Sequence, residues 1–153
     1  NILISQFPSD KDLTDTEIAI ASAIARDSTH IMVVSGGGDR FDHVLAMVHS
    51  LASCAPTIDT TLLIGTARVS YATYTRGFRI NVQPGDIISL IPIGGATTVT
   101  TTGLQWELDN DTLQSFASRG VSNVANGESI TISVTDGLLA VIEPFFLNPG
   151  DIS

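Results

Sequence analysis

Positive charge is what this 153-residue chain has least of: 7 Lys and Arg stand against 16 Asp and Glu, a net charge of −9. Binding a phosphate backbone needs clustered Lys and Arg to displace counterions, so the balance argues against nucleic acid. The same sign argument disfavours anionic membrane surfaces. No apolar run approaches the roughly 20 residues that span a bilayer. A single cysteine, Cys54, excludes an internal disulfide and fits a reducing, cytoplasmic setting. Charged residues of both signs are only 15% while hydrophobic ones are 43%, too apolar a mixture to stay disordered. There is no secretory signal, no internal repeat and no low-complexity linker. The chain opens at Asn1 inside an apolar run and without a Met, so it reads as a piece of something longer.

What is present falls into two textures. From Asn1 to about Gly65, β-like runs alternate with helical patterns. Ile2-Leu3-Ile4 is the first run, ending at Phe7-Pro8. Thr14-Asp15-Thr16-Glu17 reads as a capping box, opening a helix with Ile20 and Ile24 on one face and Ala21 and Ala25 beside them. Ile31-Met32-Val33-Val34 is continuously apolar, the pattern of a strand covered on both faces. After Gly36-Gly37-Gly38, a second helix is expected from near Asp42, burying Val44, Val48 and Leu51 until Pro56 stops it; Leu62-Leu63-Ile64 then gives a third strand. The order β-α-β-α-β implies parallel strands, half of a doubly wound sheet at best. From about Ala67 the helical signal disappears, and short β-like runs bounded by turn signals follow: Val69–Tyr74 and Ile130–Val134, which alternate, and Ile87–Ile91, Val99–Thr102 and Leu138–Ile142. Asp136-Gly137, between the last two, is a hairpin signal. The fold expected is therefore an α/β partial parallel sheet over residues 1–66, followed by an all-β antiparallel sandwich over 67–153. The short junction near Gly65–Arg68 implies close packing of the two.

Four stretches carry candidate chemistry. The acidic stretch Asp10-Lys11-Asp12-Leu13-Thr14-Asp15 follows a strand and opens a helix, the edge at which open α/β sheets bind ligands. Asp15 there either helps hold a divalent cation with substrate phosphates or complements the positive helix end. The loop Gly36-Gly37-Gly38-Asp39-Arg40-Phe41-Asp42-His43 again joins strand to helix. Its glycines permit close approach of a ligand to the backbone, and Arg40 is suited to phosphate. The alternative is a plain turn in which Arg40 pairs with Asp42. Trp106, the only tryptophan, either stacks a flat cationic heterocycle or fills the sandwich core. Ser122-Asn123, beside Gly120, offers small polar groups or simply a turn. His30, His43 and His49 have no metal-ligand spacing with Cys54, which reads as a small buried hydrophobe. Walker, dinucleotide and G-x-S-x-G motifs are absent.

Taken together, these stretches resemble the thiamine pyrophosphokinase family. The matching segments are Lys11-Asp12-Leu13-Thr14-Asp15-Thr16-Glu17, the Gly-rich loop with Arg40-Phe41-Asp42-His43, Thr101-Thr102-Gly103-Leu104-Gln105-Trp106-Glu107-Leu108, and Val121-Ser122-Asn123. They stand in the family's order over nearly the whole chain. The resemblance implies transfer of a pyrophosphoryl group from ATP to the hydroxyl of thiamine, with Mg²⁺ present and AMP released. It further implies a homodimer whose thiamine sites lie between the catalytic part of one subunit and the sandwich of the other. Asp15 then sits near metal and phosphates, Arg40 and Asp42 form the active-site pair, and Gly36, Gly37 and Gly38 cradle phosphate. Trp106, Ser122 and Asn123 face thiamine. The family's Gly-Asp-x-Asp-Ser segment, which carries its principal metal ligands, is lacking, so the chain by itself is expected to be inactive. Asp39 replaces a usual glycine, and Met47 stands where Asn is common. A non-catalytic thiamine-binding or dimerisation module is the alternative, and a sandwich for some other small ligand a third.

Overall fold

The Thr14–Glu17 capping box forms as the sequence dictates. The Glu17 N–H donates to Thr14 Oγ1 (3.2 Å), and the Thr14 N–H donates to Glu17 Oε2 (2.8 Å). It starts α1 (Asp15–Ile24) in the computed structural model, which describes residues 12–38 and 40–147. Ile20 of α1 is buried, whereas Ile24, one turn on, is exposed. β1 (His30–Ser35), α2 (Phe41–Cys54) and β2 (Asp59–Ile64) follow as a β-α-β unit, with β1 and β2 parallel from His30 opposite Asp59 to Ser35 opposite Ile64. The expected strand at Ile2–Ile4 lies outside the described residues.

Eight further strands complete the chain: β3 (Ala67–Thr73), β4 (Phe78–Asn81), β5 (Ile87–Pro92), β6 (Thr97–Thr102), β7 (Asp111–Leu113), β8 (Asn123–Val124), β9 (Ser129–Asp136) and β10 (Leu138–Glu143). They make two sheets, ordered β1-β2-β3-β10-β5-β8 and β4-β9-β6-β7. Because β2 pairs antiparallel with β3, the parallel pair and one sheet of the sandwich form a single hydrogen-bonded surface. One apolar cluster, with Leu90, Val99, Ile130 and Leu139, fills the space between the sheets. The other, with Leu51, Leu62, Val69 and Tyr71, joins the helices to the outer face of the larger sheet. Tyr71 donates its hydroxyl to the Val48 carbonyl (2.8 Å), so its one polar atom is satisfied within that layer.

Two expectations are corrected. The run Ile31–Val34 is covered on one face only: Ile31 is buried, but Met32 and Val34 are 54% and 72% exposed. Asp136-Gly137 is a corner rather than a paired hairpin, since β9 and β10 belong to different sheets. Each already has two neighbours, β4 and β6 for β9, β3 and β5 for β10, so neither has an edge to offer the other. Gly137 makes the corner possible at φ +87°, where a Cβ would stand 2.6 Å from the Ala96 carbonyl oxygen.

Candidate functional site

The start of α1, the end of β1 and the first turns of α2 enclose a cavity of about 380 Å³. Asp15, Gly38 and Arg40 line it together with Thr14, Thr16 and Ser35, while His43, Val44, Ala46 and Met47 form the α2 side. This is the C-terminal edge of the parallel pair, where βα loops converge. Gly37 adopts φ +80°, and its Cβ would meet Ile64 at 3.4 Å, so the loop holds close to β2. Arg40 occupies the N-cap of α2 with no side-chain hydrogen bond to the helix, an unusual residue for a position that favours Ser, Thr, Asp or Asn. Its guanidinium instead grips Asp42 through Nε–Oδ1 (2.9 Å) and Nη2–Oδ2 (2.6 Å).

That bidentate contact, at the exposed mouth of the cavity, holds the Asp42 carboxyl far below the ordinary carboxylate range and raises Arg40 further. Arg40 is therefore a fixed cation, still presenting its Nη1 hydrogens to an anion. The pairing expected of a plain turn is formed, and Arg40 also lines the cavity. Asp39 and the stretch Asp10-Lys11 lie outside the described residues.

For a divalent cation, the cavity supplies Asp15 as its one lining carboxylate among the described residues. Among the described residues no three His, Cys, Asp or Glu side chains converge as a metal-binding set. That donor set fits Mg²⁺ only as a single anchor, the kind supplemented by substrate phosphates and water. Sequence reasoning did not single out Ser35 or Ala46, and it named Thr16 only within a motif and Val44 only as a helix residue to be buried; their position in the folded cavity is what brings them to the site.

The sandwich residues are held apart from this cavity within one protomer, since none of Trp106, Ser122 and Asn123 lines it. Trp106 is 57% exposed, so it does not fill the core. Leu104 and Leu108, buried on either side of it, fasten the loop that carries it. Ser122 adopts φ +58°, and its N–H donates to Ser89 Oγ (3.0 Å). Asn123 is 3% exposed, with its side-chain amide bonded to the Trp106 backbone. A larger cavity, about 580 Å³, opens at the end of the sandwich among Asp86, Glu128, Glu143, Phe145 and Phe146. It contains none of the expected site residues. Glu143 there is bound bidentately by Arg68 (2.6 and 2.7 Å), whose guanidinium also lies 4.0 Å over the Phe146 ring.

Comparison with known proteins meets this geometry in both parts. Residues 1–62 match the family described as thiamin pyrophosphokinase, catalytic domain, and residues 77–139 match thiamin pyrophosphokinase, vitamin B1 binding domain. The chain is 32% identical over 136 residues to thiamine pyrophosphokinase 3 of Oryza sativa subsp. japonica, covering 82% of this chain and 51% of that protein. Against thiamine pyrophosphokinase 1 of Arabidopsis thaliana the identity is 29%, covering 87% and 53%. The chain thus spans about half the length of these plant relatives. Its fold superposes with a TM-score of 0.78 on thiamine pyrophosphokinase from Bacillus subtilis, at 24% identity, over 87% of this chain and 63% of that one. With the enzyme from Geobacillus thermodenitrificans the TM-score is 0.72 at 25% identity, over 89% and 63%. With both matched regions in the family's order and the fold shared, the chain belongs to the thiamine pyrophosphokinase family.

Proposed function

We propose that this chain is the C-terminal portion of a thiamine pyrophosphokinase, with residues 1–66 forming half of its catalytic domain and residues 67–153 its thiamine-binding sandwich. The observation that carries the reading is the shared cavity of Asp15, Gly38 and Arg40, beside a sandwich whose only tryptophan stands exposed. In the reaction, the thiamine hydroxyl oxygen bonds to the β-phosphorus of ATP. The bond from that phosphorus to the α,β-bridging oxygen breaks, AMP departs with the bridging oxygen, and the hydroxyl proton passes to solvent. Such transfers depend on positioning and on stabilising charge rather than on covalent chemistry.

Arg40 binds the phosphates, with Asp42 fixing the plane of its guanidinium, and the Gly36-Gly37-Gly38 backbone leaves room for them. Asp15 supplies one carboxylate to Mg²⁺, whose chemistry when bound is to neutralise phosphate charge. Trp106 presents its face to the thiazolium cation, for which a delocalised charge and a π-face are matched, and Ser122 and Asn123 shape the same surface. The protein is a homodimer in this reading. One subunit's cavity faces its partner's sandwich, which accounts for Trp106 lying outside the cavity of its own protomer. A cytoplasmic setting agrees with the single buried thiol of Cys54.

The competing reading, a thiamine-binding module without catalysis, draws on the single carboxylate that lines the cavity among the described residues. Incubating the protein encoded by the whole coding sequence with thiamine and ATP decides between them. Thiamine diphosphate and AMP in equal amounts support the kinase. Thiamine binding without AMP release leaves the module.

A further inference from the structure

Trp106 is exposed, yet both polar groups of its backbone are hydrogen-bonded to one buried side chain. The loop after β6 runs antiparallel to residues 123–126. Asn126 N–H donates to the Gly103 carbonyl (2.9 Å), Leu104 bridges Ala125, and Gln105 N–H donates to the Val124 carbonyl (2.8 Å). At Trp106 the ladder runs out of backbone, because successive strand residues turn their N–H and C=O to opposite edges and Asn123, next to Val124, faces the other way, beside Ile88 of β5. The Asn123 side chain takes over. Its Oδ1 accepts from the Trp106 N–H (3.1 Å), and its Nδ2 donates to the Trp106 carbonyl (2.8 Å).

The same Oδ1 accepts from the Val124 N–H (2.9 Å), which fixes the amide's orientation. Flipping the amide would set its NH₂ against two N–H donors. A side-chain amide thus replaces a strand neighbour for a single residue, joining an edge of one sheet to a loop of the other.

We propose that Asn123 is the positioning residue of the thiamine site, holding the Trp106 backbone at both polar groups so that the indole stands ready for a cationic ring. The proposal rests on the thiamine reading of Trp106 given above. It assigns Asn123 an indirect part, because both its amide atoms are engaged and the residue is 3% exposed. A rigid, pre-set aromatic loses little conformational freedom when a ligand stacks on it, and that saving appears as affinity.

Because Trp106 is the sole tryptophan, its fluorescence anisotropy in the 153-residue chain reports this loop alone. Amide exchange at Trp106 and Val124 supplies a second reading, and thiamine titration a third. Asn123→Ala is expected to lower the anisotropy, to speed exchange at both amides by about tenfold, and to weaken thiamine binding roughly 3- to 10-fold. Asn123→Asp keeps an acceptor for both N–H groups but sets a second carboxylate oxygen against the Trp106 carbonyl where the amide donor stood, so it too should lower the anisotropy and weaken thiamine binding. It also serves should the alanine variant fail to fold. In a Trp106→Ala background, Asn123→Ala should weaken thiamine binding no further.

Unchanged anisotropy and exchange in a folded Asn123→Ala chain would overturn the clamp. Fully additive losses of affinity would overturn it too, by showing that Asn123 meets thiamine independently. If Trp106→Ala binds thiamine as tightly as wild type, the thiamine reading falls while anisotropy and exchange still judge the clamp.

Discussion

Arg40 and Asp42 show how one residue pair serves two purposes. Two residues apart at the start of α2, they close a bidentate bridge open to any strand-to-helix turn, yet Arg40 also lines the cavity. The pairing fixes a sign for pH dependence. Asp42 has its folded-state pKa depressed, so the contact is present above the ordinary carboxylate range and is lost only as pH falls through the much lower folded value. Between about pH 5 and 8 the pair therefore stays ionised, and Asp42 should contribute no limb to the turnover profile of the whole enzyme. An acid limb present in wild type and absent in Asp42→Asn would contradict this. Asp15 is expected to act on the transferring group more than on thiamine. Asp15→Asn should thus lower kcat by about 10- to 1000-fold, the scale of one lost electrostatic contact to developing charge, with the KM for thiamine little changed. Steady-state kinetics with an unchanged kcat would reduce Asp15 to a helix-end charge. These residues were legible because each sits in a short contiguous motif. The Asn123 clamp was not, since nothing in the spacing of Trp106 and Asn123 marks two residues that meet only when the sheets stack.

At the scale of elements, what could be read was set by length and by local chemistry. The capping box at Thr14 and Glu17 is a local contract between neighbours, and it holds. Strands β6 and β9 were visible because each is long enough to alternate, and β5 and β10 because each is a continuous apolar run bounded by turn residues. β4, β7 and β8, of four, three and two residues, are too short for a period to register and exist by virtue of their partners. The end of α2 is likewise a tertiary matter. No basic residue occupies its last turn, yet Arg76, from the turn between β3 and β4, donates Nη1 to the Ala55 and Ile58 carbonyls at 3.1 Å each. It also lies 3.6 Å from Asp59. One sandwich side chain thus satisfies carbonyls left open where the helix stops. Arg76→Ala is expected to destabilise the fold by about 1–3 kcal/mol, the range for hydrogen bonds from a charged donor to buried carbonyls. Urea unfolding followed by circular dichroism measures it. A midpoint equal to wild type would mean that water serves those carbonyls equally well.

Across the whole molecule, the continuous sheet from β1 to β8 makes the front portion and the sandwich mechanically one piece. Trp106 and the cavity of Asp15 and Arg40 therefore cannot be brought together by swinging one part over the other. Composition and motif order made both halves visible in the sequence, whereas their fusion through the β2–β3 pairing was not, because a register between strands leaves no local mark. The exposed Met32–Val34 face of β1 was misread for a related reason: four apolar residues in a row state that burial is wanted, not what supplies it. If Asp15 and Arg40 of one subunit work with Trp106 of its partner, damage to the two halves should complement. A twofold dimer built from one Asp15→Asn subunit and one Trp106→Ala subunit carries one site with both defects and one with neither. Statistical exchange of subunits then restores roughly a quarter of wild-type sites. We expect the mixed full-length variants, after unfolding and refolding together, to turn over faster than the average of the two separate preparations. Activity equal to that average would place Trp106 and Asp15 of each working site on the same subunit and remove the shared-site arrangement.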